Sequence, residues 1–305
     1  MGTKASATRV GSLSQVVTVT KYNFLNYFRA RRFYVMLAII LLISVLLTAL
    51  VGYYRPVAFL GLPGTPASQA VLGFYGAAWG GTGGFLSFSS LVVILSAAFF
   101  GGDAISGEFQ NRTGYFLVPN PIRRSAIYVG KWFAALIAST IILVVFAVIV
   151  MGNGLFYFPG TVPWEFEQSL LFAWVYLVAA LSLTFAFSSL FKSSSISILM
   201  SVILLLFVFG VIDDVSMFVA GIEPWYSITY GAGIISSILV SPYPQHKVTE
   251  SLGAALGRNQ TNANSHFAIS TYSATVPEGL EILVAYFVVM AALGLWLFVK
   301  KEFTS

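Results

Sequence analysis

Residues 127–151 read IYVGKWFAALIASTIILVVFAVIVM, and this stretch decides the fold class. It holds a single charged residue, Lys131, and exceeds the roughly 20 apolar residues that an α-helix needs to cross the hydrocarbon core of a bilayer. Backbone N–H and C=O groups at that depth have no water to bond, so only a helix or a closed barrel satisfies them. The stretch therefore predicts a membrane-spanning helix.

Further apolar runs of similar character lie on both sides of it: Phe33–Tyr53, Gly83–Gly102, Ser169–Leu190, Ile196–Ile212 and Leu280–Val299. The whole chain is 58% hydrophobic and 9% charged, whereas a soluble domain carries about 25% charged residues. Too little polar surface remains to face water on all sides. The sequence predicts an all-α membrane protein with six transmembrane helices.

Basic residues predict the orientation of these helices, because cytoplasmic connections carry the excess of Lys and Arg. With the N-terminus inside, only Arg55, Lys247 and Arg258 of the 16 Lys and Arg residues fall on the outer side. We therefore expect a multi-pass protein of the cell membrane with both termini in the cytoplasm. The positive charge follows membrane orientation, so nucleic acid is not an expected partner.

The first 32 residues precede the membrane domain of 33–305 and are mostly polar and basic. Within them, Leu13–Arg32 places apolar and aromatic residues near helical spacing between charged ones. This pattern predicts an interfacial amphipathic helix on the inner leaflet, in contact with membrane lipid. A basic flank without helical structure is the alternative.

The segment 213–279 is the one long connection and is expected outside the cell. Asp213 and Asp214 are interpreted as a polar stop at the end of the fifth span. Val215–Val240 stays apolar and predicts either a short dip into the membrane or a pair of interfacial helices. Ser241–Ala274 is polar and predicts an exposed loop.

No catalytic residue, metal site or cofactor site is expected. The chain has no cysteine, which excludes a thiolate zinc site and a Cys nucleophile. His246 and His266 are interpreted as exposed loop residues, because Glu250 is the nearest carboxylate and a metal needs three or four ligands. Gly130-Lys131 lacks the flanking residues of a phosphate-binding loop, so the chain is not expected to hydrolyse ATP by itself.

The inner connection between the second and third spans carries a set of short motifs. Ile105-Ser106-Gly107-Glu108 comes first, Pro121-Ile122-Arg123-Arg124 follows, and Gly130-Lys131 begins six residues after Arg124. This order and spacing resemble the membrane subunit of the ABC type-2 permease family. The family's Gly-Thr pair falls on Arg112-Thr113, where only Thr113 matches. An N-terminal elbow helix, six spans and a longer outer segment before the sixth also agree with that family.

The resemblance implies a coupling segment at 103–125, a cytoplasmic hairpin that sits in a groove of a separate ATP-binding cassette ATPase subunit. Glu108 and Arg112 are spaced to form an ion pair on a short helix. The residues expected at the contact are Ile105, Ser106, Gly107, Glu108, Arg112, Thr113, Pro121 and Arg124, with Gly130 and Lys131 as the end of the motif at the third span.

The same resemblance implies a permease subunit that forms the substrate pathway with a second copy of itself or a homologous permease, and that exports its substrate. An ATP-independent channel or carrier and a structural subunit of a larger complex are the alternatives. A carrier is disfavoured because the predicted spans have few ionisable residues, which mark ion and proton pathways. The sequence does not indicate the substrate.

Overall fold

The computed structural model describes residues 12–58, 72, 75, 87–111, 123–157, 160, 162–239, 243–251 and 268–300. Its main helices are α1 Ser12–Arg29, α2 Arg31–Ala58, α3 Ser87–Gly101, α4 Ser106–Gln110, α5 Arg124–Tyr157, α6 Trp164–Leu190, α7 Ser194–Ala220, α8 Ile228–Ala232, α9 Ile234–Ser237 and α10 Val276–Lys300. Strands β1 Lys247–Ser251 and β2 Ala268–Tyr272 form an antiparallel pair.

Within the described residues, five helical segments are long and apolar enough to cross a membrane. They are Ser90–Gln110, Arg124–Phe156, Trp164–Leu190, Ser194–Ala220 and Val276–Lys300. They confirm a helical, multi-pass membrane protein. Helix α2 is 28 residues long and covers the first predicted span, but it is not among these five. A total of six spans therefore stays a prediction.

Helix α5 shows why water cannot surround this fold. Ala138 and Ile142 on one face are buried against other helices, whereas Ile137, Val144 and Val148 on the opposite face are exposed. A surface helix of a soluble protein carries polar residues on its exposed face. Here both faces are apolar, so the exposed face of α5 is suited to lipid.

Helix α6 lies at the centre of the bundle and packs against α3, α5 and α10. Small residues permit this close packing, as they commonly do between membrane helices. A Cβ atom on Gly294 of α10 would lie 3.1 Å from the Cα atom of Ala186 in α6. In the most apolar window of α6, 67% of the residues are buried, compared with 17% in α7 and 22% in α10.

Helix α7 extends farther than the sequence predicts. It continues through Asp213 and Asp214 to Ala220, and Gly221 then ends it in the left-handed conformation with φ 63°. Asp213 is buried, and its Oδ2 atom accepts a hydrogen bond of 2.9 Å from the Ser227 hydroxyl. The two aspartates therefore do not end the helix, and this bond holds the Asp213 carboxylate within it; that the membrane span ends there stays a prediction.

The segment after α7 contains structure that the sequence predicts only in part. Its apolar part contains two short helices, α8 and α9, which pack against α6 and α10. Whether they dip into the membrane or lie at its interface stays a prediction. A Cβ atom on Gly279 of α10 would lie 2.4 Å from Cγ2 of Ile234 in α9, so a glycine is required at this crossing. The expected loop of Ser241–Ala274 instead contains the hairpin, in which Lys247 pairs with Tyr272 and Ser251 with Ala268.

Candidate functional site

The turn between α3 and α4 is fixed by one hydroxyl group from α6. The backbone N–H groups of Ile105 and Ser106 both donate to Oγ of Ser188, at 3.0 and 2.9 Å. The Ser106 hydroxyl donates to the carbonyl oxygen of Gly102 at 2.7 Å. The first N–H groups of a helix have no partner within it, and Ser188 provides that partner for α4 from a different helix.

Lys131 of α5 forms an ion pair with Oε1 of Glu108 in α4. Its Nζ atom also donates to the carbonyl oxygen of Ala104 at 2.6 Å. The Lys131 side chain is only 7% exposed and that of Glu108 is 19% exposed. A buried charge requires a partner and further hydrogen bonds, and both are present for Lys131. Lys131 therefore points into the protein.

Asp103 connects the same turn to two more helices. Its carboxylate pairs with Arg32 at the start of α2 and accepts a hydrogen bond from the hydroxyl of Ser194 at the start of α7. The side chain of Gln110 in α4 accepts a 2.8 Å hydrogen bond from the Ser194 backbone N–H. We call Asp103, Glu108, Lys131, Ser188 and Ser194 the Lys131 cluster. It attaches α4 and the turn before it to α2, α5, α6 and α7.

Gly130 allows α1 to lie directly on α5. A Cβ atom at Gly130 would lie 2.7 Å from Cγ1 of Val19 and 3.0 Å from the carbonyl oxygen of Val16. The Thr20 hydroxyl donates to the carbonyl oxygen of Gly130 at 3.1 Å, and the Tyr27 hydroxyl donates to that of Phe100 in α3 at 3.2 Å. The expected helix near the N-terminus is therefore present and packed on the bundle. Its position relative to a membrane stays a prediction.

The residues expected at an ATPase contact occupy different environments. Ile105, Ser106 and Gly107 are buried within this chain, Glu108 is partly buried, and Arg124 is exposed. The Arg124 guanidinium donates to the carbonyl oxygen of Val299 at the end of α10, at 3.1 Å. The other expected contact residues, Arg112, Thr113 and Pro121, lie outside the described residues.

The structure shows an ion-pair partner for Glu108 that sequence spacing does not suggest. The spacing indicates a pair with Arg112, which lies outside the described residues, and the structure shows Glu108 in contact with Lys131 of another helix. Asp103, Ser188 and Ser194 were also missed. The available signal was weak: each is a small polar residue at the edge of an apolar run, and such residues commonly bond to their own backbone.

A second cluster lies near the start of α10, at the opposite end of that helix from Val299. Glu223 follows α7, His246 precedes β1, and Glu278 is in the first turn of α10. Nε2 of His246 lies 3.4 Å from Oε2 of Glu223, and its Nδ1 lies 3.8 Å from Oε2 of Glu278. His246 is exposed, as expected, and precedes the strand, but its carboxylate neighbours include Glu223 and Glu278, which are distant in sequence. We call these three residues the His246 cluster.

Hydrogen bonds and a nearby charge shift the pKa of Glu223, which lies in the loop after α7. The pKa of Glu223 is lowered below its usual range, first by its hydrogen bond with Glu278 and then by the hydroxyl of Tyr230 and the charge of His246. The same contact with Glu223, together with burial as the larger cause, raises the pKa of Tyr230. Glu223 is thus held as an anion by its neighbours.

Apolar helices with exposed apolar faces define a multi-pass α-helical membrane protein. Residues 17–303 of its 305 match the family described as ABC-2 family transporter protein. The chain belongs to this family, so it is a membrane protein of an ABC transporter. A comparison with curated proteins finds no match.

Proposed function

We propose that this chain is the permease subunit of an ATP-binding cassette exporter, driven by separate ATPase subunits. The observation that carries the proposal is the attachment of α4 and the turn before it to four other helices by the Lys131 cluster. A subunit that receives force from a partner needs a rigid element that transmits displacement to the membrane helices. The match to the ABC-2 family supports the same class.

Within the proposed coupling segment of 103–125, exposed and buried residues have separate roles. Gln110 and Asn111 at the end of α4 are exposed, as is Arg124 at the start of α5. We infer that the ATPase contacts this surface, to which Arg112, Thr113 and Pro121 belong in sequence. Glu108 lies between the two groups, with one oxygen on Lys131.

The buried motif residues Ile105, Ser106 and Gly107 position the segment. Their backbone is held by Ser188 of α6, and a Cβ atom at Gly107 would lie 2.6 Å from Oδ1 of Asp103. A push on α4 is therefore passed to α6 through Ser188 and to α5 through Lys131. Gly130 extends the same path to α1, because it allows the close contact with Val19.

We propose that a second permease, identical or homologous, packs against α7 and α10. The centre of the subunit is closely packed: a Cβ atom on Gly101 in α3 would lie 2.1 Å from Oγ1 of Thr184 in α6. A substrate path is therefore better placed between two subunits than through the middle of one. Among the five candidate spans, helices α7 and α10 have the smallest fractions of buried residues, which leaves them the most surface for a second subunit.

The alternative classes are less well supported. A carrier requires ionisable residues along a pathway within the membrane. Among the described residues, the buried charged side chains are Lys131 and Asp213, which lie in the first third of α5 and late in α7. A structural subunit would not require the connections of the Lys131 cluster. In the proposed arrangement, the chain lies in the cell membrane with both termini in the cytoplasm.

Cross-linking in native membranes tests the proposal. The chain has no cysteine, so Asn111→Cys introduces a single thiol on the proposed contact surface. A short thiol-directed photo-cross-linker is expected to capture an ATP-binding cassette subunit, identified by mass spectrometry. The control is Val219→Cys near the end of α7, a site that is 74% exposed. Capture of the ATPase equally from both sites, or from neither, would contradict the assignment.

Hydrolysis measurements test whether the partner subunit, and not this chain, hydrolyses ATP. The purified chain alone is expected to show no ATPase activity. Adding the captured ATPase subunit should produce activity in lipid vesicles. Hydrolysis by the purified chain alone, persisting after mass spectrometry shows no ATPase in the sample, contradicts the proposed role.

A further inference from the structure

The His246 cluster brings together three side chains that are far apart in sequence. One possible ligand atom from each of Glu223, His246 and Glu278 lies within 4.8 Å of the other two. The side chains of Glu223 and Glu278 are each 25% exposed, and that of His246 is 45% exposed. An ion can therefore reach the cluster from solvent, while the two carboxylates remain mostly enclosed.

Hydrogen bonds from outside the cluster orient all three side chains. Nδ1 of His246 lies 3.1 Å from the carbonyl oxygen of Ser273. A carbonyl carries no proton, so Nδ1 donates in this bond, and Nε2 is the ring nitrogen left to bind a metal ion. Metal-binding histidines generally have this second hydrogen bond, which fixes the ring and its tautomer.

The carboxylates are oriented in the same way. The Tyr230 hydroxyl donates to Oε1 of Glu223 at 2.8 Å, and the backbone N–H of Thr275 donates to Oε2 of Glu278 at 3.2 Å. Two carboxylates this close repel each other unless they share a proton or a metal ion lies between them. Each of the three side chains therefore has a fixed position, and the two acids favour a positive ion.

The set of ligand atoms indicates which ion fits. Mg²⁺ and Ca²⁺ prefer oxygen ligands alone, whereas a histidine with carboxylates suits Zn²⁺. Ligands about 2.0–2.1 Å from a tetrahedral Zn²⁺ lie roughly 3.4 Å apart. Nε2 of His246 and Oε2 of Glu223 are separated by 3.4 Å. Oε2 of Glu278 lies 3.8 Å from Nδ1 of the same ring, and one possible ligand atom of Glu278 lies within 4.8 Å of those of the other two residues.

We propose that Glu223, His246 and Glu278 form a binding site for Zn²⁺, with the fourth position left for water. The ion would join the end of α7, the base of the β-hairpin and the first turn of α10. Binding would hold the hairpin against the two helices that we propose to face the second subunit. The site is independent of the proposed coupling function, because it lies at the other end of α10.

Calorimetry on the purified full chain tests the site, with Zn²⁺ as the probe and no polyhistidine tag. One high-affinity Zn²⁺ per chain is expected, together with an increase in the thermal unfolding temperature. Mg²⁺ and Ca²⁺ should produce neither effect. Glu223→Gln, His246→Gln and Glu278→Gln should each remove this binding. Tyr230→Phe should weaken it about 10-fold or more, as loss of an outer hydrogen bond to a metal ligand does.

Two control variants separate this site from nonspecific binding. Glu281→Gln changes an exposed acid one turn farther along α10, and His266→Gln changes the other histidine of the chain. Both should bind Zn²⁺ as the unmodified chain does. Loss of binding in His266→Gln, equal binding in all variants, or no saturable Zn²⁺ binding would each overturn the proposal. Circular dichroism before titration verifies that every variant is folded.

Discussion

Buried Lys131 and partly buried Glu108 form an ion pair that joins two separate parts of the sequence motif. Glu108 ends the Ile-Ser-Gly-Glu stretch in α4, and Lys131 ends the Gly-Lys pair in α5. Close contacts also explain the glycine that precedes each of these residues, because a Cβ atom on Gly130 would meet Val19 and one on Gly107 would meet Asp103. The spacing of the motif therefore reflects contacts between elements that meet in the folded chain.

The first prediction concerns the stability provided by this pair. Removing one partner of a buried ion pair typically costs about 3–5 kcal/mol, because the remaining charge is left without compensation. We expect Lys131→Met and Glu108→Leu each to lower the free energy of unfolding by about that amount. The double variant should be less destabilised than the sum of the two single variants, because no uncompensated charge remains. Thermal unfolding in detergent measures the ranking.

The control for this comparison is Glu167→Gln, which changes an exposed acid near the start of α6. Exposed ion pairs contribute about 0–1 kcal/mol, so this variant should unfold close to the unmodified chain. Additive effects of Lys131→Met and Glu108→Leu would show that the two side chains act separately, contrary to the pair seen here.

The second prediction concerns Gly130. Alanine at this position introduces a Cβ atom 2.7 Å from Cγ1 of Val19, so α1 must move away from α5. Overpacking of this kind typically costs about 1–3 kcal/mol. Gly152 is the matched control, because a Cβ atom there meets nothing within 4 Å. Gly152→Ala should be neutral or stabilising by up to about 1 kcal/mol, through helix propensity alone.

Thermal unfolding of the two glycine variants provides the comparison. Equal effects of Gly130→Ala and Gly152→Ala would mean that α1 does not lie on α5. A disulfide between cysteines at Val19 and an adjacent α5 position gives an independent measurement. It should form less efficiently when Gly130 is alanine.

The sequence predicts the membrane helices well because each depends on a continuous apolar run. Helix α5 needs only its own residues to satisfy its backbone. Helix α7 was predicted too short, since Asp213 interrupts the apolar pattern and its partner Ser227 comes after the helix. The strands of the hairpin were missed because each has only five residues within a mostly polar segment, and they pair across a long connection.

The functional clusters could be predicted only where a motif indicated them. Lys131 and Glu108 belong to the motif, and the structure shows that they contact each other. The His246 cluster depends on the packing of a loop, a hairpin and a helix terminus. No spacing rule brings Glu223, His246 and Glu278 together, so the sequence interpretation considered only nearby Glu250.

The third prediction separates two adjacent serines of α6. Ser188 accepts the N–H groups of Ile105 and Ser106, whereas the Ser189 hydroxyl donates to the carbonyl oxygen of Phe185 in its own helix. Leaving a buried donor without a partner costs about 1–3 kcal/mol. Ser188→Ala should therefore destabilise the protein by that amount, and hydrogen exchange at the start of α4 should accelerate. Ser189→Ala should leave α4 protected, and faster exchange there in both variants would contradict the role of Ser188.

The last prediction concerns orientation, and it uses the absence of cysteine from the chain. Arg124 at the start of α5 bonds to Val299 at the end of α10, whereas Glu278 lies at the start of α10. Helix α10 has 25 residues and is therefore about 38 Å long, enough to separate its ends across a bilayer. The Lys131 and His246 clusters are thus expected on opposite sides of the membrane.

Single cysteines at exposed Asn111 and Gln245 report the two sides. Basic residues are in excess near the start of α2, the start of α5 and the end of α10. This excess predicts that Asn111 faces the cytoplasm. A membrane-impermeant maleimide added to intact cells should label Gln245→Cys and leave Asn111→Cys unlabelled until the membrane is opened. The reverse pattern would place the proposed ATPase contact outside the cell, where ATP-driven coupling could not operate. Labelling of both sites in intact cells would contradict the separation of the clusters by the bilayer.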